Sequence, residues 1–376
     1  MTNRERFVSY VKYGSGKPFC SPQIGAGAGF DTRLAGKEWF SQTTVEDTVA
    51  ACKRFNIVPL YNFGLDPVIA VAEDGFGWRN VSLTETADRR IVENEFFTPD
   101  PALKLTMRTI EDRLKGGFST KTPLEEEGDL DAFELYVEAL LGSTHYHRIT
   151  EHVAHIRSII GEDEALSIQW EAHPLGMLGL ITTMNMVLFP YDYTERVEAL
   201  YPKILQINDK ILDAVKAGGA DFIFLGGPGP EISSPDLYKR YFIPHGAEVA
   251  DNARSKGLLV YSHVCSPVEP FLTYGFYNDM KPDLFETLSQ APVGNIVSLE
   301  DALGKIPAHI CTRGNVGLDE LLYKTPEEIY QRSTEILKTA AKLGRKHILA
   351  ASDYLFYGIS EENVEAMARA AEDFAG

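Results

Sequence analysis

The chain has 376 residues, 44% of them hydrophobic, enough to bury the core of one large α/β barrel or of two smaller domains. It carries 36 Lys and Arg against 54 Asp and Glu, a formal charge of −18. That balance argues against a nucleic-acid groove or an anionic membrane surface, both of which need clustered cations, but leaves room for an anionic small molecule held by one local arginine.

The opening Met1-Thr-Asn-Arg-Glu-Arg-Phe lacks the apolar stretch of a secretion signal, and no apolar run reaches the roughly 20 residues that span a bilayer. Four cysteines, Cys20, Cys52, Cys265 and Cys311, are too sparse for a disulfide framework, so reduced thiols and a cytoplasmic location are expected. Gly25-Ala-Gly-Ala-Gly29 has the wrong spacing for a dinucleotide-binding turn. Ile57–Tyr61 reads as an early strand. Leu103–Leu114 and Leu130–Ile160 read as helical, lying outside the main ring or forming an extension around residues 100–160 of one domain spanning 1–376. From Leu166 onward short apolar runs alternate with amphipathic ones. Strands are expected at Ala165–Trp170, Phe222–Leu225, Leu258–Ser262, Leu284–Glu286, Ala308–Thr312 and His347–Ala351. Helices are expected at Thr194–Ala217, Ser234–Lys256, Pro267–Tyr274, Thr325–Leu343 and Glu361–Phe374. Thr325-Pro-Glu-Glu and Ser360-Glu-Glu-Asn supply good N-caps. Regular alternation of this kind implies a parallel sheet with right-handed crossovers, and the number of units favours a closed (β/α)8 TIM barrel.

Active sites of such barrels gather at the C-terminal strand ends, so what each strand delivers there decides the chemistry. His263 and Cys265 stand two apart, so they project to one side of their strand. Imidazole and thiolate suit zinc, and a catalytic zinc takes three protein ligands with one open position. Asp353, at the end of the last strand, completes such a set, and Glu171 or His173 could add a fourth ligand or transfer protons. Asn62, Asp221 and Arg313 are the candidate substrate contacts. Gly226-Gly-Pro-Gly-Pro-Glu231 reads as a rigid substrate-facing loop, since two prolines leave it few N–H groups for an anion. A second pair, His309-Ile-Cys311, falls earlier on its strand and is assigned to the barrel wall. His145, His147, His152 and His155 lack metal spacing and read as a solvated helix face.

The segments Thr2-Asn-Arg-Glu-Arg-Phe, Ile232-Ser-Ser-Pro-Asp-Leu-Tyr-Lys-Arg-Tyr-Phe-Ile-Pro244, Tyr261-Ser-His-Val-Cys265, Gly314-Asn-Val-Gly317, Ile348-Leu-Ala-Ala-Ser-Asp353 and Ile359-Ser-Glu-Glu-Asn-Val364 stand out together. As a set they resemble the uroporphyrinogen decarboxylase superfamily, and within it the zinc-dependent corrinoid methyltransferases of the methylcobalamin:coenzyme M type. The resemblance implies a TIM barrel of that family. It also implies zinc on His263 and Cys265, and methylcobalamin or another corrinoid supplied by a corrinoid-binding partner protein. In those methyltransferases a later Cys completes the zinc site, within a Gly-Cys-Gly stretch that aligns with Ser352-Asp353-Tyr354, so Asp353 replaces a thiolate here. The decarboxylases share a Met-Arg-Gln-Ala-Gly-Arg stretch and a Phe-Ser-Asp stretch. The corresponding regions here, Ser21-Pro-Gln-Ile-Gly-Ala-Gly-Ala28 and Tyr61-Asn-Phe-Gly64, contain neither the arginines nor the Asp. The expected activity is methyl transfer between a corrinoid and a small thiol or methyl ether. A decarboxylase of a small acid or porphyrinogen is the alternative, followed by a barrel that binds without turnover.

Overall fold

The computed structural model describes residues 1–39, 41–112, 116–171, 176, 180–181, 183–226, 235–264, 267–275 and 277–374. Eleven strands follow in chain order among these residues: β1 (Leu60–Gly64), β2 (Gly77–Glu85), β3 (Arg89–Phe97), β4 (Leu105–Asp112), β5 (Gly116–Lys121), β6 (Ala165–Glu171), β7 (Phe222–Gly226), β8 (Leu259–His263), β9 (Leu284–Glu286), β10 (Cys311–Val316) and β11 (His347–Ala351). A seven-stranded parallel sheet runs β1-β6-β7-β8-β9-β10-β11. The short stretch Phe19–Ser21 fills the gap between its two edges. Ser21 N donates to Leu349 O at 2.8 Å, Leu349 N to Phe19 O at 3.0 Å, and Val58 N to Cys20 O at 3.0 Å. With that eighth stave the chain is a (β/α)8 barrel, as expected from the alternation.

Side chains divide by strand alternation. Leu60, Ala165, Phe222, Phe224, Tyr261, Leu284, Cys311 and Ile348 form one buried cluster inside the ring, together with Phe7, Tyr10 and Val11 of the first helix. The intervening residues, such as Leu166, Ile223, Val260, Phe285 and Leu349, pack outward under the helical layer. The first helix, Asn3–Tyr13, starts at a capping box between Thr2 and Glu5. It plugs the N-terminal end of the barrel: Phe7 meets Phe222 edge-on at 5.6 Å and the Tyr10 hydroxyl donates to His347 O at 3.1 Å. Ligand access and chemistry are thereby confined to the opposite end.

Two expectations need correction. The described residues of Leu103–Leu114 are not helical. Residues 105–112 form β4 of a four-stranded antiparallel sheet ordered β2-β3-β4-β5, inserted after β1. Thr106, Thr109 and Ile110 favour a strand, and cross-strand partners settle the choice: Arg90 Nε donates to Glu111 Oε2 at 2.7 Å. The sheet's base packs Phe96 against Tyr136, with ring centres 4.9 Å apart, on the helix Asp129–Gly142. That helix and His147–Ile160 together occupy the span read as Leu130–Ile160. The strand expected at Ala308–Thr312 begins later, because Ile310 N closes a turn onto Pro307 O, so Arg313-Gly-Asn315 lies within β10 instead of after it. The helix expected from Ser234 is described from Pro235, its first residue lying outside the described residues. No helix among the described residues is long and apolar enough to cross a membrane.

His347, fully enclosed at the start of β11, offers a test of this packing. It lies 2.9 Å from Gly314 O through Nε2 and 2.8 Å from the Thr312 hydroxyl through Nδ1. Burial pushes its pKa from 6.5 down to about 4. Folding therefore favours the neutral ring, and this stabilisation is complete above pH ~6.5 and lost as pH falls toward 4. Denaturant unfolding across that window should show a loss of about 3 kcal/mol from this group, largely absent in His347→Gln. Parallel pH curves for the two proteins would contradict the assignment.

Candidate active site

Three adjacent staves bring His263, Glu286 and Arg313 to one level. His263 is the register partner of Glu286 across β8 and β9, and Glu286 is that of Arg313 across β9 and β10. Each stands two residues beyond a member of the interior cluster, so all three face inward. Glu286 is 0% exposed and Arg313 1%. Their side chains pair at 3.2 Å, and Glu286 Oε2 also accepts from Gln23 Nε2 at 2.9 Å. Glu286 Oε1 accepts from the Tyr261 hydroxyl and meets His263 Nδ1 at 2.6 Å. Burial alone would raise the Glu286 carboxyl, but the Arg313 charge and the His263 and Tyr261 hydrogen bonds hold it below its ordinary value. An ionised carboxylate only accepts, so a hydrogen lies on His263 Nδ1, and in the neutral ring the Nε2 lone pair points away from Glu286.

That lone pair faces Asp353. Nε2 and Asp353 Oδ1 are 3.6 Å apart. With the ring neutral, two electron-rich atoms are directed at each other across this gap, which suits a cation between them. Tetrahedral zinc with bonds of 2.0–2.1 Å spaces its N and O ligands about 3.4 Å apart. The imidazole–carboxylate pairing behind His263 is the usual support for a metal-bound histidine. The pair therefore fits zinc in spacing and donor type. Among the described residues no group of three or more His, Cys, Asp or Glu side chains is arranged to hold a metal. Cys265, the third expected ligand, lies outside the described residues, as does His173.

The other expected residues are placed as follows. Glu171 ends β6, and only its backbone is described. Asn62 points inward from β1 at 5% exposure, and its Nδ2 donates to the hydroxyl of Tyr354, the residue after Asp353, at 2.7 Å. Arg313 is at the site's level but engaged by Glu286 and, through Nε, by Ser21 O at 2.8 Å. Asp221 is a correction. It precedes β7, so it sits at the plugged end, where Arg4 at 2.8 Å and Arg157 at 2.9 Å neutralise it. A residue that begins a parallel strand cannot reach the mouth where that strand ends. Cys311 is buried in the barrel interior and His309 is exposed in the turn before β10. His147, His152 and His155 lie exposed on their helix. The loop 227–231 lies outside the described residues.

Sequence reasoning missed Glu286, Gln23, Tyr261 and Tyr354. Glu286 had a readable signal: a carboxylate at the end of the short apolar run Leu284-Phe-Glu286, next in strand order to His263. Gln23 had none, because Phe19–Ser21 is too short to read as a strand.

Removing one partner from a buried ion pair leaves the other uncompensated, which costs about 3–5 kcal/mol. Glu286→Ala should lose that much in urea unfolding, and the double variant Glu286→Gln with Arg313→Met should recover part of it. A loss below about 1 kcal/mol, the range of an exposed pair, would contradict the network.

A sequence model described as uroporphyrinogen decarboxylase matches residues 116–374. No curated protein sequence matches the chain. Among solved structures, a methyltransferase from Methanosarcina mazei superposes with a TM-score of 0.70 at 17% identity, covering 100% of both chains. D-psicose 3-epimerase from Clostridium cellulolyticum H10 superposes with a TM-score of 0.38 at 13% identity, covering 67% of this chain and 93% of that one. The first likeness shows a shared fold over the full length, and the second is too slight to carry any argument. With the family match spanning most of the barrel and its His263, Glu286 and Asp353 level, the chain belongs to the uroporphyrinogen decarboxylase family.

Proposed function

We propose that the chain is a corrinoid-dependent methyltransferase. It would exchange a methyl group between a corrinoid on a partner protein and a small thiol or methyl ether, with zinc on His263, Cys265 and Asp353. The observation that carries this reading is the 3.6 Å gap between His263 Nε2 and Asp353 Oδ1, with Glu286 locking the imidazole from behind. The full-length likeness in fold to a methyltransferase supports it.

Zinc bound there would supply Lewis acidity toward the heteroatom that loses or gains the methyl group. The remaining work belongs to the chain. Glu286 fixes the His263 tautomer so that Nε2 keeps its lone pair, and Arg313, Gln23 and Tyr261 fix Glu286. Asp353 brings a negative oxygen donor where a thiolate would give more electron density, which leans the site toward an oxygen substrate. Phe224 and Tyr354 flank the imidazole, with ring centres 5.5 and 5.9 Å away. Asn62, held by Tyr354, is assigned to substrate contact, and Glu171 or His173 to proton transfer.

Decarboxylation of a polycarboxylate is the competing reading, since the family carries that name. Such a substrate needs several cations, yet Arg313 is paired to Glu286. Arg33 donates to Ile359 O at 2.5 Å and lies over the Phe30 ring.

Metal analysis of the purified protein, combined with a methylcobalamin absorbance assay across thiols and methyl ethers, separates the two. About one zinc per chain, lost in His263→Ala together with turnover, is expected. Metal-free protein that consumes a porphyrinogen would overturn the proposal.

A further inference from the structure

The three residues that continue the chain from Glu286, Thr287-Leu288-Ser289, are fully buried and unused by the chemistry described above. Their two hydroxyls reach the backbone on either side of the site. Thr287 donates its hydroxyl to Val264 O at 3.1 Å, and Ser289 donates its own to Ser352 O at 3.0 Å. Val264 follows His263 and Ser352 precedes Asp353. The segment thus ties together the backbones that carry the two side chains 3.6 Å apart. The hydroxyls also lie 2.8 Å from each other, so two hydrogens serve three contacts, and either hydroxyl can turn to the other or to its carbonyl.

The segment is itself held in one shape. Leu288 has φ +61°, a left-handed conformation that a bulky residue keeps only where its surroundings impose it. Asn315 Nδ2 donates to Leu288 O at 2.9 Å, and Val264 N donates to Glu286 O at 3.0 Å. A Cβ on Gly314 would fall 2.4 Å from Thr287 O, and one on Gly294 would fall 2.0 Å from Ser289 O. Backbone therefore packs against both ends of the segment where only glycine fits. Imposed strain of this kind collects beside functional sites. We propose that Thr287 and Ser289 are positioning residues that set the separation of His263 Nε2 from Asp353 Oδ1. The inference rests on reading that pair as a zinc site, and it names what fixes the spacing. Such sites work when held within about 0.5 Å of the productive geometry, and hydrogen bonds behind metal ligands contribute about 10- to 100-fold in affinity.

Metal-free crystal structures, zinc affinity by chelator competition and urea unfolding of wild type, Thr287→Val, Thr287→Ser and Ser289→Ala test this. Thr287→Val keeps the shape and loses the hydroxyl, whereas Thr287→Ser keeps the hydroxyl and loses a methyl group. In Thr287→Val and Ser289→Ala the separation should change by about 0.5 Å or more and zinc affinity should fall about tenfold or more. Thr287→Ser should retain both, even where it is equally destabilised. Ser289→Ala is the smaller change and keeps the test open should Thr287→Val fail to fold. Variants that lose stability while the separation stays fixed would overturn the proposal, whether or not the wild type binds zinc. Wild-type protein that takes up no zinc, with the separation moved only by loss of a hydroxyl, would sink the zinc reading and uphold the positioning role.

Discussion

One buried carboxylate organises the reactive end of this barrel. Glu286 receives contacts from four side chains on three other staves: Gln23, Tyr261 and His263, and Arg313. A charge taken out of water costs several kcal/mol, which is recovered only when partners occupy all of its lone pairs in good geometry. Here they do. The same contacts decide which nitrogen of His263 carries hydrogen, so a stabilising interaction in the core also sets the state of a side chain at the mouth.

The rest of the architecture serves that directional arrangement. The first helix seals one end of the ring with Phe7, Tyr10 and Val11, and the Arg4–Asp221–Arg157 cluster lies at that sealed end. Polar residues inside the barrel are then pushed toward the C-terminal strand ends, where Asn62, His263 and Asp353 stand. The antiparallel sheet of β2 to β5 follows the end of β1, so its chain departs from this same end.

Much of this was legible in the residues. β9 and β11, and the helix Thr194–Ala217, were read with their observed bounds, because each is a clean apolar run or a long amphipathic period with clear breakers. The approach of Asp353 to His263 followed from assigning both to strand ends of one barrel. What was not legible depended on partners distant in sequence. β4 looked helical until its pairing with β3 was known, and Asp221 looked like a mouth residue because a strand's direction matters more than its adjacency. Glu286 passed as the end of a short strand. Its importance comes from standing in register between His263 and Arg313, and register between parallel strands depends on crossovers that no local pattern encodes.

The proposal that His263, Cys265 and Asp353 share one zinc is tested most directly by zinc X-ray absorption on the purified protein. A single sulfur at about 2.3 Å, with nitrogen and oxygen neighbours at about 2.0–2.1 Å, is the expected shell. A shell without sulfur, or one unchanged when Asp353 is replaced by Ala, would contradict it.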